Sequence, residues 1–344
     1  MRAPDARAMT AFRVLGAVTL ATTVLSACAN RDDVTVIKLG HGLDVTHPVH
    51  RAMEAMAADV AERSSGRMRI DLYPSEQLGT ERQLLELLQI GSVGMTKVSA
   101  AVLENFAPEF LVLSLPYIFR DEAHHFAVLD GPIGRELLSG LVPYRLRGMT
   151  FYDAGSRSFY TKDRPVDHPD DLAGLKLRTQ ESATAMELVR RLGASPTPIA
   201  WGELYSALQQ GIVDGAENNP PSFHLSGHYE IARYYSLDMH TRVPDVLVVS
   251  MDVWSRLSEV ERGWLTEAVT ESTRLQRVLW RVAVDEALAA VEAAGVQVLR
   301  PDPAPFAQQV EGMFDAYRSE PVIYDLIARI RSFSPEGPYP DEPN

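Results

Sequence analysis

The segment from Ser258 to Ala294 restricts the fold of this 344-residue chain more than any other, because it contains no proline and a single glycine. Ser258 and Glu261 have the spacing of a capping box, and apolar residues at helical spacing continue as far as Leu288. We therefore expect one helix over residues 258–294. At about 1.5 Å per residue this helix would be roughly 55 Å long, which exceeds the width of a small domain. The chain is thus expected to form two lobes that share the helix.

The composition agrees with two lobes. A chain of 344 residues with 46% hydrophobic residues can form a separate core in each lobe. We expect residues 34–153 with about 243–280 to form lobe I, residues 154–242 with about 281–333 to form lobe II, and a hinge where the chain crosses between them. The tail over residues 334–344 is rich in proline and acidic residues, so it is predicted to be disordered.

The first 27 residues have the layout of an export signal. Three arginines precede an apolar run from Val14 to Ala27, which is too short for a usual membrane-spanning helix. The run ends in Leu-Ser-Ala before Cys28, a pattern similar to a bacterial lipobox. We therefore expect Cys28 to become a lipidated first residue, followed by a short tether over residues 28–33. Cys28 is the only cysteine, so no intramolecular disulfide is expected. The alternative is ordinary signal cleavage near Ala27.

The acidic charge of the chain limits its partners. The net charge is −13, and removal of residues 1–27 with their three Arg and one Asp changes it to −15. Nucleic acids and anionic membrane surfaces bind basic protein surfaces, so neither is an expected partner. An anionic ligand would have to be held by local cations inside a cleft.

The stretch from Gly174 to Pro221 has the pattern of a ligand-binding unit. Alternation of apolar and basic residues up to Arg178 predicts a short strand, and apolar spacing over about Ser182 to Leu192 predicts a helix. Ligands of open α/β sheets lie beyond the carboxyl ends of strands, beside helix N-termini. Arg178 is therefore placed where its guanidinium can bind a carboxylate.

The second half of this stretch repeats the order of elements. A helix is predicted over about Trp201 to Gln210, and a strand over Ile212 to Asp214. Asn218 follows on the exit loop, and the two prolines after Asn219 restrict the backbone before them. The Asn218 amide is therefore expected to be held in place near the ligand.

These motifs resemble the solute-binding proteins of tripartite ATP-independent periplasmic (TRAP) transporters. The matching segments are GLKLR (174–178), LGASPTP (192–198), YSALQQGIVDGAEN (205–218) and YPSEQLG (73–79). The resemblance implies an α/β, two-lobed periplasmic-binding-protein fold with a hinge and one long helix bracing both lobes. It implies an extracytoplasmic receptor without a cofactor, which captures an organic acid and delivers it to a small and a large integral membrane permease subunit.

The resemblance also implies roles for single residues. Arg157 would be a second ligand arginine, Trp201 an aromatic side chain that closes on the ligand, and His240 a member of the hydrogen-bond network near the carboxylate. Ser99 stands where sialic-acid-binding relatives carry an acidic side chain, which argues against a sialic acid ligand. From the residues alone, Arg157 is equally compatible with a salt bridge between lobes, and Trp201 with a core aromatic. Lys97 is interpreted as a solvated strand residue without a role.

The histidines near the N-terminus do not predict a metal site. His41, His47 and His50 are close in sequence, but no Cys or carboxylate completes a metal-ligand spacing. The loop from Gly40 to Asp44 follows a predicted strand and should face the cleft. His41 is therefore expected to line the cleft, with a structural capping role as the alternative.

Three function classes remain open from the sequence. The favoured interpretation is a receptor for an organic acid, with a sugar acid such as a uronate ahead of a C4-dicarboxylate, because Trp201 offers a stacking face to a sugar. An exported enzyme that processes a sugar acid is the first alternative, although no G-x-S-x-G or H-E-x-x-H motif is present. A lipoprotein that senses the ligand and signals is the second.

Overall fold

The computed structural model describes residues 34–334, which form two α/β lobes. The strands of lobe I are β1 (Thr35–Gly40), β2 (Met68–Tyr73), β3 (Met95–Ser99), β4 (Leu146–Tyr152) and β10 (Asp245–Ser250). They form one sheet in the order β2-β1-β3-β10-β4. Strands β1, β2 and β3 pair in parallel, whereas β10 pairs antiparallel with β3 and β4.

Lobe II contains the second sheet. Its strands are β5 (Arg157–Thr161), β6 (Lys176–Thr179), β7 (Ser195–Pro198), β8 (Gly215–Asn218), β9 (Tyr234–Thr241) and β11 (Gln297–Leu299). The order is β11-β9-β5-β8-β6-β7. Strand β10 therefore returns to lobe I after β9, and the chain crosses between the lobes twice before the long helix.

Twelve α-helices are present in the described part of the chain. They are α1 (Pro48–Arg63), α2 (Glu81–Gln89), α3 (Ala100–Leu103), α4 (Glu122–Asp130), α5 (Pro132–Ser139), α6 (Ala183–Arg191), α7 (Leu204–Gln209), α8 (Pro220–Leu225), α9 (Met251–Arg256), α10 (Glu259–Ala293), α11 (Pro303–Val310) and α12 (Pro321–Ser332). No helix within residues 34–334 combines the length and apolarity needed to cross a membrane.

Local sequence explains where several helices begin. Thr80 and Gln83 form the reciprocal hydrogen bonds of a capping box at α2, and Ser258 and Glu261 do the same at α10. Proline occupies the first turn of α1, where its missing N–H leaves no helical hydrogen bond unmade. The start of α10 agrees with the sequence prediction.

Helix α10 contacts both lobes, as predicted. Its 35 residues span roughly 52 Å at about 1.5 Å per residue. It packs against α1 and β4 in lobe I and against α8 in lobe II. Trp280 on this helix is buried in the apolar cluster that fills lobe I between α1, α10 and the sheet. One continuous helix thereby connects the two cores.

The first crossing between the lobes is a short connection between two strands. Strand β4 ends at Tyr152 and β5 begins at Arg157, with a short connection between them. Gly155 in this connection has a φ of +60°, and a Cβ atom there would lie 3.0 Å from the indole Nε1 of Trp280. Glycine is therefore required both by the backbone angle and by the contact with α10.

Two predictions about this half of the chain were wrong in position. Residues 212–214, predicted as a strand, are not in a strand. The strand is β8, which begins at Gly215, where the chain pairs with β5. The predicted helix 201–210 divides into a 3₁₀ turn, Trp201–Glu203, and α7.

The C-terminal helix α12 lies within the range of residues expected in lobe II. It contacts the 3₁₀ segment Pro108–Ser114 and α5, both of which precede β4 in the chain.

Candidate functional site

A cavity with polar walls lies between the two lobes. It contains about 720 Å³ of space between protein atoms, including the part open to solvent. Its lobe I wall includes Gly42, His47, Glu76, Glu81, Lys97, Ser99 and Asp245, and its lobe II wall includes Arg157, Arg178, Gln180, Trp201, Asn218 and Ser222. Both walls are built from strand ends and the loops that follow them.

Five of the seven predicted ligand-binding residues line this cavity. They are Ser99, Arg157, Arg178, Trp201 and Asn218. His41 and His240 are fully buried and lie behind the cavity wall. His47, which was considered only as a metal ligand, is the histidine that lines the cavity.

Arg178 ends in the cavity with most of its donors unused. Its Nε donates to the carbonyl oxygen of Ile199 at 2.8 Å, and its Nη1 is buried without a partner among the described residues. A guanidinium carries five N–H donors, so the outer edge of this one is available to a ligand. Burial lowers the pKa of Arg178 from its usual value, because Glu217 and Tyr160 only partly offset the loss of hydration.

Arg157 is also buried, but its donors are mostly occupied. Its Nε donates to Oε2 of Glu217 at 2.5 Å, its Nη2 donates to Oε1 and to the carbonyl oxygen of Glu217 at 2.8 and 2.9 Å, and its Nη1 donates to Oδ1 of Asn218 at 3.0 Å. Four of five N–H groups are therefore used, and one hydrogen on Nη1 remains. Since Glu217 and Arg157 sit on neighbouring strands of lobe II, the alternative of a salt bridge between lobes was wrong.

Asn218 is the last residue of β8 rather than part of an exit loop. Its Oδ1 accepts hydrogen bonds from Arg157 Nη1 and from the backbone N–H of Asn219, at 3.0 and 2.9 Å. Its oxygen is thereby occupied, so the Nδ2 group is what Asn218 can offer to a ligand. Asn219 in turn caps α8 by accepting from the N–H of Ser222 at 2.9 Å.

Trp201 lies beside Arg178 at the mouth of the cavity. The guanidinium carbon of Arg178 is 5.9 Å from the centroid of the indole, and the ring of His228 packs against the indole edge-on at 5.2 Å. The next residue, Gly202, donates its N–H to Oε1 of Glu76 in lobe I at 3.1 Å. The turn that carries Trp201 thus contacts both lobes, and the indole is partly exposed toward the cavity.

The N-terminal histidines form hydrogen bonds with fixed directions. His41 Nδ1 accepts from the N–H of Leu43, so its Nε2 donates to His50 Nδ1 at 2.9 Å. His47 caps α1 through Nδ1 and points its Nε2 to the Ser222 hydroxyl across the cleft, at 3.4 Å. Burial lowers the pKa of both His41 and His47 to about 3, so both are neutral. Residues 34–334 contain no group of three or more side chains arranged to hold a metal ion.

His240 lies behind Arg157 instead of in the cavity. Its Nδ1 is 2.8 Å from Oδ2 of Asp238, and its Nε2 is 3.6 Å from Oε2 of Glu217, an ion-pair separation too long for a hydrogen bond. Burial alone would lower the pKa of His240, but the two carboxylates raise it to about 9. In the same way burial would raise the pKa of Glu217, whereas Arg157 and His240 lower it to about 2. His240 therefore supports the ion pair that holds Arg157.

The chain is similar to known proteins over most of its length. A model of the family described as bacterial extracellular solute-binding protein, family 7, matches residues 39–320. The chain belongs to this family. The predicted resemblance to TRAP solute-binding proteins is confirmed by that match and by the relatives below.

Two solved TRAP periplasmic solute-binding proteins are similar to this TRAP solute-binding protein along nearly their whole length. The one from Xanthobacter autotrophicus Py2, with bound β-D-galacturonate, is 34% identical and has a TM-score of 0.84 over 87% of this chain and 100% of that chain. The one from Chromohalobacter salexigens DSM 3043, with bound D-glucuronate, is 32% identical and has a TM-score of 0.84 over 86% and 99%. The C4-dicarboxylate-binding periplasmic protein from Rhodobacter capsulatus is 33% identical over 82% of this chain and 86% of its own.

Sequence reasoning missed one group of cavity residues in this TRAP solute-binding protein. Lys97 was interpreted as solvated, yet it is buried on β3 and its Nζ lies 3.1 Å from Oε1 of Glu81 and 3.0 Å from Oδ1 of Asp245. Burial would lower the pKa of Lys97, but these carboxylates raise it, so the ammonium stays charged. A basic residue inside an apolar strand was a signal of pairing, but its partners are distant in sequence.

Proposed function

We propose that this TRAP solute-binding protein captures a sugar acid of the uronate type by its carboxylate and delivers it to the membrane subunits of the transporter. The observation that carries the proposal is the buried guanidinium of Arg178, whose Nη1 has no partner among the described residues. A buried charge without a counterion is unfavourable, and a ligand carboxylate supplies that counterion. Planar guanidinium and carboxylate groups also pair through two parallel hydrogen bonds.

The surroundings of Arg178 favour a sugar acid over a small dicarboxylate. Trp201 offers an apolar ring that can lie against the C–H face of a pyranose. The Nδ2 group of Asn218 and the last free N–H of Arg157 are donors for a second carboxylate oxygen or a ring hydroxyl. The two solved relatives described above hold galacturonate and glucuronate, whereas the Rhodobacter relative is named for C4-dicarboxylates. A C4-dicarboxylate is therefore the second candidate.

The proposal includes closure of the lobes without chemical turnover. The family is one of binding proteins. The cavity lies between the two lobes, so a rigid-body rotation of one lobe relative to the other would close it around a ligand. Scattering profiles with and without ligand should give a smaller radius of gyration for the bound form. Mass spectrometry of the ligand after long incubation tests the enzyme alternative, which predicts a product.

The proposal also places the protein in the periplasm, held to a membrane by a lipid on Cys28. Cys28 lies outside the described residues, so the support is the lipobox-like pattern before it and the absence of any other cysteine in the sequence. Mass spectrometry of the N-terminal peptide from the native host should find an acylated Cys28. An unmodified Cys28, or a mature chain that begins elsewhere, would contradict this part.

Isothermal titration of the protein lacking residues 1–27 tests the ligand. The panel contains D-galacturonate, D-glucuronate, succinate and L-malate. Saturable binding of a uronate, at least tenfold tighter than either dicarboxylate, is the expected result. Tighter binding of succinate or malate would transfer the proposal to the second candidate, and binding of none of the four would reject it.

A further inference from the structure

The two walls of the cavity differ in charge. The lobe II wall contributes Arg178, which lacks a buried counterion, and Arg157, which is neutralised by Glu217. The lobe I wall contributes Lys97 between two carboxylates, Glu81 and Asp245, so this group carries a formal charge of −1. The lobe II wall is therefore suited to one anionic group, while this part of the lobe I wall is suited to hydrogen-bond donors.

The atoms of this group have unused hydrogen-bonding capacity on the cavity side. Oε1 of Glu81 accepts from Lys97 Nζ and from the N–H of Ser99, at 3.1 and 3.2 Å, which leaves Oε2. Oδ1 of Asp245 accepts from Lys97 at 3.0 Å, which leaves Oδ2. The Lys97 ammonium has three N–H donors, of which two are used. The side chain of Lys97 is 5% exposed and those of Glu81 and Asp245 are 15% and 11% exposed, and all three line the cavity.

We propose that Glu81, Lys97 and Asp245 form a hydroxyl-binding subsite on the wall facing Arg178, and that this subsite excludes ligands with a second carboxylate. The inference rests on the proposed function and specifies its ligand as a monocarboxylic sugar acid. Hydroxyl groups at the far end of a uronate donate to Oε2 of Glu81 and Oδ2 of Asp245 and accept from Lys97. These are charge-assisted hydrogen bonds, which are stronger than bonds between neutral groups.

A second carboxylate in the same place has no hydrogen to donate to Glu81 or Asp245, and although one N–H of Lys97 is left for it, it faces two like charges. Hydrogen bonds to Glu81 and Asp245 require an N–H or O–H group, and an ionised carboxylate has neither. One ammonium shared with two carboxylates cannot neutralise a third. The buried position strengthens the repulsion, because the effective dielectric constant is lower than in water. The subsite thus selects by repelling the wrong ligand as well as by binding the right one.

The test compares each uronate with the hexarate that has the same six-carbon hydroxylated skeleton, in which C1 is also a carboxylate. Titrations use D-galacturonate against galactarate and D-glucuronate against D-glucarate, with wild type, Glu81→Gln and Asp245→Asn. In wild type the hexarate should bind roughly 30-fold more weakly than the uronate. Either substitution should weaken uronate binding by about three- to tenfold and should reduce the hexarate penalty to about threefold, since one repelling charge is removed.

Glu86→Gln is the matched control. Glu86 lies on α2 like Glu81, but its side chain is 54% exposed and pairs with Arg82, so this variant removes the same charge without altering the cavity. Its ratio of uronate to hexarate affinity should equal that of wild type. Melting curves without ligand show whether each variant is folded, and Asp245→Asn provides a second test if Glu81→Gln is unstable.

The outcomes separate the two proposals. If wild type binds no uronate, the proposed function fails. If wild type binds a uronate but binds its hexarate within about threefold, the subsite is refuted while the proposed function stands. An equal change of the ratio in Glu81→Gln and Glu86→Gln would assign the discrimination to the overall charge of the protein and would also refute the subsite.

Discussion

Arg157 and Arg178 are two buried arginines of one cavity, on neighbouring parts of one sheet, with opposite hydrogen-bonding states. Arg157 uses four N–H donors on Glu217 and Asn218, whereas the only hydrogen bond of the Arg178 guanidinium within residues 34–334 goes to the carbonyl oxygen of Ile199. Burial by itself would lower the pKa of both arginines. For Arg157 the charge of Glu217 outweighs burial and the pKa rises, while for Arg178 burial prevails and the pKa falls.

We propose that this difference separates a mainly structural arginine, Arg157, from a ligand-binding arginine, Arg178. A guanidinium whose counterion belongs to the protein stabilises the fold and orients its neighbours, here the amide of Asn218. A guanidinium without one is stabilised only when the ligand arrives, so its interaction energy contributes to affinity. Substitution of Arg157 should therefore affect stability without ligand, whereas substitution of Arg178 should affect ligand affinity.

The largest effect is expected for Arg157→Met, measured as the free energy of unfolding in urea without ligand. The substitution leaves the Glu217 carboxylate buried without its partner, which should destabilise the protein by about 3–5 kcal/mol. The double variant Arg157→Met/Glu217→Leu removes both charges and should recover most of that loss. A loss below about 1 kcal/mol in the single variant would mean that Glu217 becomes solvated or protonated at little cost, and the contrast between the arginines would not hold.

The second prediction concerns the pH dependence of unfolding without ligand. The pKa of His240 is raised from 6.5 to about 9 in the fold, so its contribution is complete below pH 6.5 and is lost as the pH rises to 9. The full contribution is about 3 kcal/mol. The pKa of Glu217 is lowered from 4.5 to about 2, so its contribution is lost as the pH falls through that interval. Buried neutral histidines, whose pKa is lowered to about 3, also lose stability as the pH falls below 6.5; they are His41, His47, His125 and His228. Stability should therefore be greatest near pH 6.5.

Two histidine variants check the assignment. His240→Gln should remove most of the decline between pH 6.5 and 9. His168→Gln, at an exposed site beside Asp170, should leave the profile unchanged. A wild-type profile that is flat from pH 6.5 to 9 would show that His240 is not charged in the fold, and the Arg157 ion pair would then lack this support.

The sequence predicted the position of Arg178, at the end of a strand and before a helix, because the evidence for that position was local. A short strand, its arginine at the carboxyl end and the following helix lie within one stretch of chain, and the structure has β6 and α6 there. The same holds for the capping box at Ser258 and for α10, whose apolar spacing and lack of proline are visible in one segment.

The state of Arg157 depended on contacts between distant segments. Its partner Glu217 is 60 residues away, and the strand pairing that joins β5 to β8 leaves no trace in the sequence of either strand. Lys97 and Asp245, 148 residues apart, were missed for the same reason. His41 was expected to line the cavity, whereas the ring that lines it is that of His47, because the conformation of the loop determines which ring faces the cavity.

The third prediction concerns ligand affinity. Arg178→Lys keeps the charge but replaces a planar fork by a point charge on a flexible stem, so only one carboxylate oxygen can be bound well. Uronate binding measured by isothermal titration should weaken by roughly 2 kcal/mol, about thirtyfold. Unfolding without ligand should change little, in contrast to Arg157→Met. A large loss of stability in the Arg178 variant, or affinity close to wild type, would contradict the division of roles.

The smallest expected effect is for Trp201→Leu, which alters the surroundings of Arg178 without touching the Arg157 ion pair. The indole centroid lies 5.9 Å from the Arg178 guanidinium carbon, and we propose that the indole supplies an apolar face to the ligand. Its removal should weaken uronate binding by about 1 kcal/mol, or roughly fivefold, because aromatic contacts of this kind contribute 0.5–1.5 kcal/mol. Trp201→Phe keeps a smaller ring and should lose less. Succinate has no sugar face, so any weak binding of succinate should be unaffected by either variant. If Trp201→Leu weakened uronate and succinate equally, the indole would act by positioning Arg178 rather than by contacting the sugar.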